Sequence, residues 1–266
     1  MATAILGAGA PILPAWAEPA ANAACLVTGH PPASPSVAQA RLLAALARVA
    51  DLASPGRDPL LAPLDDRAVT LCLDDRPTGA LGYFAPDTAE IVLDAGLEDD
   101  GLFVVLVHEL RHLQQDRRGL CPAPIDLSRA DMLQMVFALE ADAQAITTLY
   151  AWRKRAAGDP GPWQALSGHE AFDLIGDSFA AAIAQSGDPA QATAAAFSAW
   201  YAEEARVDRY YRATCSDWYD AQDREHRLGA TTPLPADFSA ALCQMPDGAP
   251  YDCAPPPPAA KPPTAP

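Results

Sequence analysis

The chain has 266 residues, half of them hydrophobic and a fifth charged, so it is long enough to bury a substantial core. Its 18 basic and 34 acidic side chains give a formal net charge of −16, which disfavours nucleic acids and anionic membrane surfaces as partners. Apolar runs stay well below the roughly 20 residues that a membrane-spanning helix needs. We therefore expect a globular protein without a membrane span.

The first 30 residues are interpreted as a leader. Residues 4–16 are mostly apolar and end near Ala15-Trp16-Ala17, a small-x-small pattern typical of an export-signal cleavage site. The lack of Lys and Arg before this point, together with Pro11 and Pro14, favours the alternative of an unstructured leader. A signal peptide would direct the protein to the periplasm or the exterior, which is the location we favour, and the alternative is the cytoplasm.

The six cysteines are even in number and contain no C-x-x-C pair. This pattern favours disulfides over a cysteine metal site, and the alternative is a set of free thiols in a cytosolic protein. The sequence does not choose among the pairings of Cys25, Cys72, Cys121, Cys215, Cys243 and Cys253.

The first half of the chain predicts one helix and a small sheet. Apolar residues recur at helical spacing from Ser36 to Leu52, which indicates an amphipathic helix. Alternating apolar residues follow at Val69–Leu73 and continue in Ala80–Phe84 and Ala89–Leu93, with a turn at Pro86-Asp87 between the last two. We expect a hairpin within a small antiparallel sheet.

The remainder is predicted to be mostly helical. One helix is expected to begin at Asp99 or Asp100 and end near Arg117, and the next to run from Asp126 or Ser128 to about Arg155. Two further helical stretches are expected at 170–185 and 189–223. The fold class is therefore α+β and mostly helical, with the sheet next to the helix that begins near Asp99.

The helix after the sheet contains the pattern H-E-x-x-H at His108, Glu109 and His112. Residues four apart lie on one helix face, so both imidazoles can bind one Zn²⁺, while Glu109 can take a proton from water and pass it to a leaving amine. The four preceding residues are aliphatic, which places the motif in or near the core. The alternative is a hydrogen-bonded His–Glu cluster without metal.

A catalytic zinc site with two histidines needs a third protein ligand. Glu140 and Asp142 on the following helix are the candidates, and they lie about 200° apart around it, so one must be chosen. We favour Glu140 because its side chain is longer, with Asp142 as the alternative ligand or as a partner of a ligand. Gln144 is a candidate for orienting the carboxylate or a histidine.

The longer metzincin motif is excluded, because Gln115 stands where that motif has glycine and Arg118 where it has its third histidine. A donor to a tetrahedral oxyanion stays open among several residues, each of which is more commonly an ordinary polar or packing residue. These are His169, His226, Tyr150, Tyr201, Tyr210 and Tyr211.

The segment from Ala80 to Tyr150 resembles the gluzincin metallopeptidases, in particular a bacterial family of metallopeptidases of unknown function that pairs H-E-L-R-H-x-x-Q with a downstream E-A-D-A. The resemblance implies a zincin-like fold, zinc on His108, His112 and Glu140, and Glu109 as the base. It also implies that an edge strand within Gly82–Leu93 pairs with an extended peptide substrate. Gln144 departs from the Asp or Asn that many gluzincins carry four residues after the ligand Glu.

These observations predict a zincin-like domain at 31–228, an irregular extension at 229–253 and a proline-rich disordered tail at 254–266. The predicted function is zinc-dependent hydrolysis of a peptide or protein substrate. The alternative is a zincin-fold module that binds zinc without turnover and serves as a protein-binding domain.

Overall fold

The structure is a computed structural model, and it describes residues 3–6, 24–30, 32–52, 58–66, 68–75, 80–122, 126–169, 172–226 and 232–254. Two predictions therefore lie outside the described residues. They are the signal-peptide cleavage site at 15–17 and nearly all of the proline-rich tail at 254–266.

Five strands form one mixed sheet. They are β1 (Thr3–Leu6), β2 (Ala24–Val27), β3 (Thr70–Asp74), β4 (Ala80–Ala85) and β5 (Glu90–Asp94), in the spatial order β1-β4-β5-β3-β2. The expected hairpin of β4 and β5 is present, but β3 and β5 run parallel, so the expectation of an antiparallel sheet was wrong. The apolar centre of β5 is buried, and this strand takes a central position with β4 on one side and β3 on the other.

The two strands nearest the N-terminus lie within the predicted leader. β1 pairs with β4 and β2 pairs with β3, both antiparallel. As a result, β4 and β5 each have a neighbouring strand on both sides. The expectation that Gly82–Leu93 supplies an edge strand was therefore wrong in this arrangement, because β1 covers the outer side of β4.

The longer helices follow the predicted order with one difference, and three short helices were not predicted. Their bounds are α1 (Val37–Ala50), α2 (Pro63–Asp66), α3 (Asp99–Arg117), α4 (Arg129–Ala156), α5 (Gly161–Ser167), α6 (Asp173–Ser186), α7 (Pro189–Trp200), α8 (Glu204–Arg224) and α9 (Phe238–Leu242). The stretch expected at 189–223 is divided into α7 and α8. The Arg206 side chain donates a hydrogen bond to the Trp200 carbonyl oxygen at 2.8 Å, so it satisfies an open carbonyl at the end of α7 where the chain turns.

The beginnings of the helices reflect local sequence. Ser36 and Gln39 form a capping box at α1, and the Ser128 side chain accepts a hydrogen bond from the Asp131 amide at α4. Glu98 is the N-cap of α3, so the predicted caps Asp99 and Asp100 lie instead in its first turn. Their negative charges are favourable there because they face the positive end of the helix dipole.

Helix α3 packs against β4 and β5 on one side and against α4 on another. All residues from Leu102 to Val107 are buried, as expected for a helix enclosed on several sides. Gly82 in β4 allows the closest approach, since a Cβ atom there would lie 2.6 Å from Cγ1 of Val105. This packing fixes the position of the motif that begins at His108.

Two disulfides are present among the described residues. Cys25–Cys72 joins β2 to β3, and Cys243–Cys253 closes a loop of the C-terminal extension, while Cys121 and Cys215 are free. Four of the six cysteines therefore form disulfides, as the sequence predicted. Within the described residues, the helices are too short or too polar to cross a bilayer.

Candidate metal centre

The H-E-x-x-H motif lies in the middle of α3 with its side chains fully enclosed. His108 and His112 are each 2% exposed and Glu109 is 0% exposed. The two imidazoles lie on one face, with their Nε2 atoms 2.9 Å apart. Polar groups buried this deeply require partners, which come from α3 itself and from the elements packed against it.

Helix α4 brings Glu140 to the two imidazoles. Its Oε2 atom lies 3.5 Å from Nε2 of His108, and its Oε1 atom lies 3.5 Å from Nε2 of His112. One ligand atom from each of the three residues lies within 4.8 Å of the others. Glu140 Oε1 is buried and accepts no hydrogen bond, which leaves it available to a cation.

The donor set fits a zinc ion. Zinc lies about 2.0–2.2 Å from imidazole nitrogens and carboxylate oxygens, so small movements of these side chains would accommodate it. Burial lowers the pKa of His108 to about 3 and that of His112 to about 4. Both imidazoles are therefore neutral at neutral pH, the form that binds metal. Burial also raises the pKa of the Glu140 carboxyl, and His112 and Tyr210 oppose this rise.

Asp142, the predicted alternative to Glu140, does not belong to the group of the two imidazoles and pairs with Arg111 instead. Arg111 Nε donates to Asp142 Oδ2 at 2.7 Å, and Arg111 Nη2 donates to Asp142 Oδ1 at 2.9 Å. Both side chains are nearly inaccessible to solvent. The structure therefore brings Glu140, and not Asp142, to the two histidines.

Two glutamines lie beside the histidines. Gln144 is buried in α4 and opposes the lowering of the pKa of His108, and its role in orienting a ligand stays a prediction. Gln115 lies 2.8 Å from Nδ1 of His112 and was considered in the sequence only as a departure from the metzincin motif. Its position three residues after His112 on the same helix was the signal that could have identified it.

Tyr210 is the oxyanion-donor candidate that reaches this cluster. Its hydroxyl donates to Oε2 of Glu140 at 2.9 Å, from helix α8. Burial raises the pKa of this hydroxyl well above its usual value, so it stays protonated. Tyr150 donates instead to Asp58, and His169 stacks on Phe172.

Comparison with known proteins gives a family and no individual relative. A sequence model of the family described as "Putative metallopeptidase family (DUF6782)" matches residues 19–253, which is most of the chain. The searches of curated proteins and of solved structures each found no match.

Proposed function

This chain belongs to the family of putative metallopeptidases whose model it matches, and from that premise we propose that it is a zinc-dependent peptidase of the gluzincin type. The observation that carries the proposal is the buried group of His108, His112 and Glu140 with Glu109 beside it. Two imidazoles and one carboxylate are the protein ligands of several catalytic zinc sites, which keep the fourth position open.

In this proposal His108, His112 and Glu140 hold the metal, and Glu109 is the general base. Zinc, when bound, supplies a Lewis acid that polarises the scissile carbonyl and makes water nucleophilic near neutral pH. Glu109 accepts the proton of the attacking water and delivers it to the leaving amine. Its position next to His108 in the sequence, in the fully buried part of α3, places its carboxylate beside the proposed metal ligands.

Tyr210 is the proposed donor to the oxygen of the tetrahedral intermediate. Its hydroxyl already lies against Glu140 and stays protonated, so a small rotation would redirect its hydrogen bond to a substrate oxygen. Helix α8 would thus contribute to the chemistry from a part of the chain far from the motif.

An extended peptide could add to the sheet at β4 only on the side that β1 occupies. Strand pairing with substrate therefore requires β1 to leave that position. A peptide that binds without such pairing would contact the metal centre from another direction.

The second candidate is a module that binds zinc without turnover. The near-complete burial of His108, Glu109, His112 and Glu140 favours it, since a substrate must reach these groups. Both candidates predict about one zinc per chain, and cleavage of peptides separates them.

The test uses the full chain and two matched substitutions. Zinc content is measured by elemental analysis, and hydrolysis is measured on a broad peptide library. Glu109→Gln is expected to retain zinc and lose a factor of about 10²–10⁴ in kcat, as for the loss of a general base. Glu98→Gln makes the same chemical change at the exposed N-cap of the same helix and is expected to leave both unchanged.

Each outcome decides one part of the proposal. Absence of zinc from the wild-type protein, even after incubation with excess zinc, would refute the metal centre. Zinc binding without cleavage of any library peptide would favour the module without turnover. Full activity of Glu109→Gln would refute the assignment of the base.

A further inference from the structure

We propose that the C-terminal loop, defined as residues 243–253 and closed by the Cys243–Cys253 disulfide, is an integral part of the metal centre. It acts through Asp142 and Gln115 to hold His112 in the tautomer that binds metal. This inference rests on the proposed zinc site and adds Gln115 as a positioning residue and the loop as its support.

The first step is the orientation of the Gln115 amide. Its Nε2 donates to the Leu139 carbonyl oxygen at 3.0 Å and to Asp142 Oδ2 at 2.8 Å. Both partners are acceptors, so they fix which end of the amide is nitrogen. The Oε1 atom must then face Nδ1 of His112, 2.8 Å away.

The second step is the tautomer of His112. An amide oxygen can only accept, so Nδ1 of His112 carries the proton and donates a hydrogen bond to Oε1 of Gln115. The lone pair is then on Nε2, the atom that faces Glu140 and His108. A carbonyl or carboxylate partner on the second ring nitrogen is the usual device that orients a metal-binding histidine.

The third step is the orientation of Asp142, which accepts from several donors at once. Arg111 forms two hydrogen bonds with its oxygens, and the Tyr251 hydroxyl donates to Oδ1 at 2.6 Å. With the bond from Gln115, both oxygens of this fully buried carboxylate are held in place. Asp142 therefore cannot rotate without breaking charge-assisted bonds.

The last step connects this carboxylate to the C-terminal loop. Tyr251 belongs to the loop, and the Arg111 guanidinium also donates to the carbonyl oxygens of Leu242 at 3.2 Å and Gln244 at 3.0 Å. The Tyr251 amide donates to the Cys243 carbonyl oxygen at 3.1 Å, across the base of the loop. The disulfide thus holds the loop in the conformation that presents the Tyr251 hydroxyl and the Gln244 carbonyl oxygen to the Arg111–Asp142 pair.

The expected consequence is a dependence of zinc affinity on residues that do not touch the metal. Loss of such an outer partner typically weakens metal binding about 10- to 100-fold. Gln115→Met keeps the side-chain length but removes the acceptor, and Tyr251→Phe removes one oxygen atom. We expect both to lower zinc affinity by about tenfold or more.

The disulfide is tested with a matched pair. Cys243→Ser/Cys253→Ser opens the C-terminal loop, and Cys25→Ser/Cys72→Ser opens the disulfide between β2 and β3. Zinc affinity, measured by competition with a chelating dye, is expected to fall about tenfold in the first and to stay within about twofold of wild type in the second. Reduction of the second variant, which retains the C-terminal disulfide, provides the same comparison within one protein.

A second readout distinguishes positioning from a general loss of stability. Heteronuclear NMR of the zinc-loaded protein with isotope-labelled histidine reports which ring nitrogen of His112 carries the proton. The wild type is expected to show a protonated Nδ1 protected from solvent exchange, and Gln115→Met is expected to lose that protection while its fold is retained.

The outcomes are separable from those of the proposed function. A wild-type protein that binds no zinc would overturn both proposals. A wild-type protein that binds zinc, with unchanged affinity and unchanged Nδ1 protection in Gln115→Met and Tyr251→Phe, would overturn only this one. Equal losses of affinity in the two double-serine variants would likewise refute a specific role of the C-terminal loop.

Discussion

Asp142→Asn is expected to destabilise the metal-free protein far more than Glu140→Gln, although both substitutions keep the shape of a fully buried carboxyl group. Asp142 provides the counter-charge of Arg111, which is 1% exposed. Removing one partner of such a pair leaves an uncompensated buried charge and costs about 3–5 kcal/mol. Glu140 accepts a hydrogen bond from the Tyr210 hydroxyl, and the amide oxygen of glutamine can accept the same bond, so we expect a change of about 1 kcal/mol or less.

Zinc binding should be affected more by Glu140→Gln than by Asp142→Asn, the reverse of the effect on stability. Glu140→Gln is expected to abolish stoichiometric zinc, because a proposed ligand is lost, whereas Asp142→Asn is expected to retain zinc at saturating concentrations with reduced affinity. The assay combines urea unfolding of the chelator-treated proteins with zinc analysis after reloading. The reasoning fails if Asp142→Asn is within about 1 kcal/mol of wild type, or if it abolishes zinc while Glu140→Gln retains it.

Three further predictions concern the surroundings of the site. Gly82→Ala places a methyl group against Val105 between β4 and α3, and should lower the unfolding free energy by about 1–3 kcal/mol; an unchanged melting temperature would contradict this packing. Tyr150→Phe removes the donor to buried Asp58 and should cost about 1–3 kcal/mol in chemical unfolding, and stability equal to wild type would show that this bond contributes little. Chelation of zinc should lower the melting temperature, because a free zinc concentration of 100 Kd stabilises the folded state by about 2.7 kcal/mol; a melting temperature indifferent to chelator would argue against the metal centre.

Much of α3 and α4 could be predicted from local sequence. The aliphatic run before His108 and the four-residue spacing to His112 define a buried helix with both imidazoles on one face. Ser128 starts α4 as a side-chain cap, and the Pro86-Asp87 turn connects the β4–β5 hairpin. These features depend on interactions between residues close in sequence, so the pattern contains the information that determines them.

The order of the strands in the sheet could not be predicted from local sequence. Alternation of apolar residues indicates that a segment is a strand but does not say which neighbours it pairs with. The parallel pairing of β3 with β5 and the position of β1 beside β4 depend on burial of the whole sheet. Local sequence therefore could not predict that β1 would pair with the outer side of β4, the strand that was expected to be an edge strand.

The sequence by itself revealed the H-E-x-x-H motif and narrowed the candidates for a third metal ligand to Glu140 and Asp142. Both residues are completely buried in α4, so periodicity could not tell which face of that helix meets α3 and which meets the C-terminal loop. Tertiary packing decided this, since Arg111 and Tyr251 engage Asp142 and leave Glu140 to the histidines. Tyr210 likewise reaches Glu140 across 70 positions of sequence, a distance over which local spacing carries no information and only the packing of α8 against α4 brings the groups together.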